Sequence, residues 1–333
     1  MYHVALCRLC GGLGWRVVRT NKLKQEKTEE ASIAFRSGFA TILGRPNVGK
    51  STFVNRLVGQ KVAIVTPRRQ TTRNRIFGIV NRPNTQVVLI DTPGIHRPET
   101  ALGRQMMNEV SQALDGVDVV AVMIDASQGI VAADRMVFER VKHFRGPVLL
   151  LLNKIDLIAK PALLPLLETC ARENLFAEMI PISALSGDGL EIVLKALAQR
   201  LPECEPYFPE DQFTDQPERF LAAELVREKA MTATRQEVPQ AVAVTIESFE
   251  EGEKLIRIRA MIHVEREGQK GILIGRGGEK LKEIGTAARK ELEEILGTKV
   301  FLELHVTVTR DWRDDARLVR QLDWRKQLET LSE

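Results

Sequence analysis

Gly44-Arg45-Pro46-Asn47-Val48-Gly49-Lys50-Ser51 sets two glycines, a lysine and a hydroxyl at the spacing G-x-x-x-x-G-K-S. Such a run can wrap anionic oxygens. The glycines let the backbone curl so that its N–H groups face inward. The ammonium of Lys50 reaches the β- and γ-phosphates, and the hydroxyl of Ser51 is a magnesium ligand. Thr52 follows in the first turn of a helix whose N-terminus adds partial positive charge. The chemistry is therefore that of a nucleoside triphosphate held by its phosphates.

Further groups fit the same site. Asp91-Thr92-Pro93-Gly94 follows a short apolar run. Asp91 would hold magnesium through water, and the Gly94 N–H would sense the γ-phosphate. Between the phosphate loop and Asp91 lies the polar stretch from Pro67 to Arg75, with Thr71 and Thr72 at its centre. Thr72 is the favoured magnesium ligand when the triphosphate is bound, in a loop that relaxes after hydrolysis. Lys50, Thr72, Asp91 and Gly94 are the candidate catalytic groups. After D-x-x-G, where many GTPases place a water-orienting glutamine, stands Ile95. Slow intrinsic hydrolysis is expected, and no arginine finger is assignable among Arg68, Arg69 and Arg73. Asn47 suggests a potassium ion in place of an arginine's charge.

Asn153-Lys154-Ile155-Asp156 selects the base. The carboxylate of Asp156 can accept both guanine N1–H and N2–H₂. Adenine lacks those donors and would leave the carboxylate unpaired, which discriminates strongly. Asn153 braces the loop, Lys154 lies over the ring, and Ser183-Ala184-Leu185 supplies a backbone contact to the base oxygen. The expected ligands are GTP and GDP with Mg²⁺.

A second constellation lies far along the chain. Gly275-Arg276-Gly277-Gly278 fits the G-x-x-G loop with which KH modules clamp a single-stranded nucleic-acid backbone. Lys270, Lys280 and Lys282 are its basic neighbours. Ile272, Ile274, Leu281 and Ile284 are the expected apolar lining.

These residues need elements to position them. Short apolar runs at Phe39–Leu43, Gln86–Ile90, Val117–Ile124, Val148–Leu152 and Glu178–Ile182 alternate with amphipathic helical stretches at 51–58, 103–114, 133–144, 163–173 and 190–200. That alternation predicts an α/β domain with a mostly parallel sheet and helices on both faces. The proline-bearing stretch 201–217 reads as its end and a linker. A helix at 218–231, strands at 241–248 and 255–264, a short apolar turn at 270–274, the glycine loop, a helix at 279–296 and a strand at 300–309 follow. This is the type II KH order, an α+β module. The expected organisation is an extension at 1–37, the nucleotide domain at 38–205, a linker at 206–217, the KH domain at 218–310 and a polar helical tail at 311–333.

Composition removes other classes. Apolar residues make up 44% of the 333, and no apolar run approaches the ~18 residues needed to span a bilayer. Four scattered cysteines do not make a disulfide scaffold and suit a reducing compartment. Cys7-x-x-Cys10 has zinc-ligand spacing but no accompanying pair. The net charge is +4 over residues 1–37, +4 over 38–205 and −4 over 206–333. RNA contact must therefore be a local patch rather than a basic domain.

The motifs GRPNVGKSTFVNRLVGQKVAIVT, QTTRNRI, DTPGIH, NKID, ISAL, GILIGRGGEKLKEIG and VTRDWRDD stand in one order. In this the chain resembles the Era family of bacterial GTPases over residues 37–325. The resemblance implies a GTP-hydrolysing switch that binds the 3′ end of small-subunit (16S) rRNA and assists processing and assembly of the 30S subunit. It also implies a cytoplasmic monomer, partly peripheral to the inner membrane. GTP would change how the two domains meet and expose the KH groove. Two other readings are a tRNA-modification-type GTPase, disfavoured by the KH module, and a non-hydrolysing RNA scaffold, supported only by Ile95.

Overall fold

The computed structural model describes residues 34–68 and 70–325, together with the backbone of the dipeptides 5–6 and 15–16. The expected N-terminal extension, its Cys7–Cys10 pair and residues 326–333 lie outside the described side chains.

The first domain is built on β1 (Arg36–Leu43), β2 (Ile76–Arg82), β3 (Thr85–Asp91), β4 (Val119–Asp125), β5 (Val148–Asn153) and β6 (Glu178–Pro181). Their order in the sheet is β2-β3-β1-β4-β5-β6, parallel except for β2, which runs antiparallel to β3. Helices α1 (Lys50–Val58), α2 (Ala101–Gln112), α3 (Ala132–Val141), α4 (Leu163–Ala171) and α5 (Leu190–Ala198) cover both faces. The period of two along β5 shows why. Leu149 and Leu151 enter the core under α1 and α5, whereas Leu150 and Leu152 enter the one under α3. A strand buried on both faces reads as an unbroken apolar run.

Sequence periodicity passes over β2, because Gly78 and Asn81 break its alternation. Gly78 has a packing role. A Cβ there would lie 2.7 Å from Val54 and 2.8 Å from Val58 of α1.

The proline-rich stretch is not a free linker. It is stitched along the first domain: Cys204 N donates to Phe35 O, Ile79 N to Phe213 O, and Gln216 Nε2 to Val62 O. Buried Gln86 donates to Phe208 O and accepts from the amides of Tyr207 and Phe208.

The second domain comprises α6 (Glu218–Ala233), α7 (Val238–Ala241), β7 (Ala243–Glu251), β8 (Leu255–Val264), α8 (Glu267–Ile274), α9 (Glu279–Leu296) and β9 (Lys299–Val308). Its sheet runs β9-β8-β7, with β8 parallel to β9 and antiparallel to β7. Ile284, Ala288 and Leu292 form the buried stripe of α9, and Gly297 closes it in the left-handed conformation.

Residues 311–325 are packed, where the sequence suggested a polar tail. Trp312 is fully buried, donates to Ala241 O at 2.8 Å, and joins a small core with Leu102 and Met106 of α2 and Leu318 and Val319 of α10 (Ala316–Gln321). The tail is too polar for its few apolar side chains to show as a pattern, yet they seal the two domains together.

Candidate functional site

At the end of β1 the chain turns through the phosphate loop into α1. Asn47 and Gly49 both have positive φ, 64° and 106°. Gly49 is obligatory, since a Cβ would sit 2.3 Å from Asn153 Nδ2. Gly94 is fixed by the other side, where a Cβ would lie 2.6 Å from the backbone nitrogen of Pro46. Thr92 is buried and donates to Ile42 O at 2.6 Å, and Ile95 N donates to Gly44 O at 3.1 Å. The Ile95 side chain packs into the core under α3, away from the loop's mouth.

Ser51, Thr72 and Asp91 converge. Ser51 Oγ donates to Asp91 Oδ2 at 2.6 Å, lies 2.9 Å from Thr72 Oγ1, and Thr72 Oγ1 is 3.3 Å from the same carboxylate oxygen. Asp91 Oδ1 is buried without a hydrogen-bond partner. Burial raises the Asp91 pKa, with Lys50, Ser51 and Thr72 opposing. Two hydroxyls around one buried acid suit a small divalent cation. Thr71 instead bonds Thr66 and Arg68 within its own loop.

Lys50 is buried, and its ammonium donates to the carbonyls of Gly44 and Arg45, both at 3.2 Å. Burial lowers its pKa to about 8, with Asp91 opposing and Arg45 adding to the fall. A polyanion in the loop would favour its charged form.

Asn153 bridges two loops. Its Nδ2 donates to Val48 O at 2.7 Å and its Oδ1 accepts from Ala184 N at 2.8 Å. Ser183 N is committed to Asp188 O. Lys154 has φ 68°, and its ammonium contacts Asn47 O and the carboxylate of Asp125. Asp156 is exposed at the open end of the site.

Sequence reasoning missed Asp125, Arg45 as an ion-pair partner, and Asp134. Asp125 ends β4 and meets Lys154 at 2.7 Å, while Arg45 pairs with Asp134 at 3.2 Å. Burial opposes charge on Asp125, but Lys154 and Ser127 outweigh it and hold its carboxyl below the ordinary range. The one signal available was an acid ending an otherwise apolar strand.

The switch arginines turn away from the phosphate loop. Arg68 donates to Thr234 O and Arg73 to Gln240 O, both in the second domain, and Arg69 lies outside the described residues. Arg227 of α6 donates to Thr71 O, the residue beside Thr72. A carboxylate of α6 reaches the same segment: Glu228 accepts from Val65 N at 2.9 Å and pairs with Lys61 at 2.6 Å.

In the glycine loop, Gly275, Gly277 and Gly278 all have positive φ, and Arg276 and Gly277 are exposed. Lys282 is exposed, Lys270 is half-buried, and the ammonium of Lys280 donates to Ala233 O at 3.1 Å. Ile272 is exposed and Leu281 half-buried, but Ile284 belongs to the core and cannot line a groove. The exposed wall is completed by Phe301 of β9.

A mostly parallel sheet with a phosphate loop, a divalent-cation cluster and an N-K-x-D loop, followed by a KH domain, defines a P-loop GTPase joined to an RNA-binding module. The family described as 50S ribosome-binding GTPase matches residues 39–154, and the KH domain family matches 237–313. The GTPase Era of Syntrophus aciditrophicus (strain SB) is 48% identical over 295 residues, 88% of this chain and 96% of that protein. That of Geotalea uraniireducens (strain Rf4) is 48% identical over 291 residues, 87% of this chain and 98% of that one. Crystal structures of an Aquifex aeolicus Era variant bound to GDP and AlF₄⁻, and of Era with MgGDPNP and nucleotides 1506–1542 of 16S ribosomal RNA, both share 44% identity at a TM-score of 0.84. Each covers 86% of this chain, and 99% and 98% of theirs respectively. The chain belongs to the Era family of GTPases.

Proposed function

We propose that this protein is a magnesium-dependent GTP switch that binds the 3′ end of small-subunit rRNA through its KH loop and assists 30S assembly. The observation that carries the reading is that Thr72 meets Ser51 and Asp91 while Arg227 of the second domain holds the carbonyl of Thr71 next to it. The segment that would sense γ-phosphate is thus the segment the RNA-binding domain grips.

In this reading Ser51 and Thr72 ligate Mg²⁺, Asp91 orients its water, and Lys50 and the backbone from Gly44 to Thr52 hold the phosphates. Gly94 reports the γ-phosphate. Asp156 reads guanine and Lys154 covers it. Because Ser183 N and Ala184 N are already bonded, the Leu185 amide is left for the base oxygen. Ile95 in place of a water-orienting glutamine remains the one feature that favours the scaffold reading, and membership of a GTPase family weighs against it. Asn47 Nδ2 donates to Pro67 O at 3.0 Å, tying the phosphate loop to the switch; Asn47 Oδ1 is the atom that would ligate a potassium ion.

The RNA backbone would lie on Gly275–Gly278, with Arg276, Lys270 and Lys282 as its charges and Lys280 tying the loop to α6. Arg276 and Gly277 are exposed in this arrangement, open to an RNA backbone. The domain boundaries move accordingly: the nucleotide domain begins at β1 and keeps the stretch to Gln216, and the KH domain extends through its packed C-terminal segment. Family membership supports a cytoplasmic monomer with peripheral contact to the inner membrane. Among the described residues no helix is long and apolar enough to cross a membrane.

The test combines turnover with RNA binding. GTP hydrolysis should require Mg²⁺ and run faster in potassium than in sodium. An oligonucleotide copying the rRNA 3′ end should bind the chain and be lost in Gly277→Asp. A Cβ at Gly277 meets no atom within 4 Å but strains the left-handed backbone there, so Gly277→Asn, with the same backbone demand and no charge, is the control. Magnesium-independent turnover, or RNA binding untouched by Gly277→Asp, would contradict the assignment; equal rates in the two salts would remove the potassium ion.

A further inference from the structure

Between the domains, behind the switch, lies a cavity of about 550 Å³. Arg73 and Asn74 come to it from the first domain, Arg219, Phe220 and Arg227 from α6, and Trp324 from the C-terminal segment. Its charges do not balance. Arg227 is satisfied by a two-point pair with Glu224, at 2.7 and 2.5 Å. Arg73 is 4% exposed; its guanidinium lies over the Trp312 ring and donates from Nη2 to Gln240 O, which leaves Nε and Nη1 buried without an acceptor. Trp324 is 8% exposed, and its indole N–H is likewise buried without an acceptor.

An arginine does not give up its proton in a protein, so a buried guanidinium without a counter-charge is costly. Arg73 and Trp324, each with an unfilled donor, therefore line a space that has an apolar wall of Phe220, Val244, Ile246 and Leu322 and a polar one that includes Asn74, Thr245 and the Arg227-paired Glu224. We propose that this cavity is a binding site for a small organic anion, a phosphate or carboxylate carried on an apolar body. The anionic head accepts from Arg73 and Trp324, and the body rests on the apolar wall. The ligand would touch both domains at once and stabilise their present arrangement.

Phenyl phosphate is a suitable probe, with phenol as the neutral control. Calorimetry would use the full chain at fixed ionic strength with saturating GDP and Mg²⁺, so that the phosphate loop is filled. The expected result is saturable one-to-one binding of phenyl phosphate and at least about tenfold weaker binding of phenol. Arg73→Leu should weaken phenyl phosphate at least about tenfold, since a charged hydrogen bond is lost. Trp324→Phe keeps the aromatic volume and removes only the donor, and Ala223 of α6 lines the cavity, so Ala223→Leu fills it; both should weaken binding, and they carry the test if the Arg73 variant does not fold. Absence of saturable binding, or an affinity unchanged in Trp324→Phe and Ala223→Leu, would overturn the assignment.

Discussion

At the scale of single residues, the chemistry is set by which hydroxyls reach Asp91. Thr72 does and Thr71 does not. Thr72→Ala should lower GTP turnover by roughly tenfold or more, through loss of a metal ligand. Thr71→Ala should cost less than about threefold. Single-turnover rates at saturating Mg²⁺ separate them, and equal losses would move the ligand assignment. Lys50 supplies a pH signature. Its pKa near 8 lies below the ordinary value of 10.5, so between those pH values the unfolded chain holds the extra proton. The stability contributed by this group therefore rises with pH across that window. Phosphates in the loop should bring the proton back. At pH 8, GDP binding should take up about half a proton, measured by calorimetry in buffers of different ionisation enthalpy. Lys50→Met should abolish the uptake; uptake persisting in that variant would place the titration elsewhere. These roles were legible because phosphate and base recognition need side chains at short fixed spacings. Asp125 and the Arg45–Asp134 pair were not, because only the parallel sheet brings their loops side by side.

At the scale of elements, the strands buried on both faces and the amphipathic α9 declared themselves in the sequence. β2 did not, since its place beside α1 demands a glycine that breaks the alternation. Helix α6 is informative for the opposite reason. It is covered on more than one side, with Leu221, Ala222, Leu225 and Val226 buried alongside Glu224, Arg227 and Glu228. The charged members are there for the switch: Arg227 holds Thr71 O, and Glu228 holds Val65 N and Lys61. Arg227→Ala leaves the Glu224 carboxylate without its partner, and should destabilise by about 3 kcal/mol. Replacing the pair together, Glu224→Gln with Arg227→Met, should restore most of that stability. It should not restore the dependence of RNA affinity on nucleotide, because the grip on Thr71 is gone. Denaturant melts and RNA titrations on the same two variants read both quantities. Recovery of nucleotide dependence in the double variant would show that α6 is structural only.

At the scale of the whole molecule, the two domains meet through the switch and through the C-terminal segment. Arg325 pairs with Asp215 at 2.6 Å and donates to Arg75 O, while Asn74 donates to Leu322 O. None of this pairing was visible in sequence, because each partner reads locally as a solvated polar residue. In the proposed function, nucleotide state and RNA affinity share one mechanical element, the stretch from Val65 to Arg75. Binding free energies coupled in this way are reciprocal: if GTP favours RNA, RNA favours GTP. The most direct measurement is the affinity of the full chain for the rRNA 3′-end oligonucleotide at fixed salt, with GDP and with a non-hydrolysable GTP analogue. The account predicts binding at least about tenfold tighter with the analogue, a coupling of roughly 1.4 kcal/mol. Equal affinity in the two nucleotide states would contradict it.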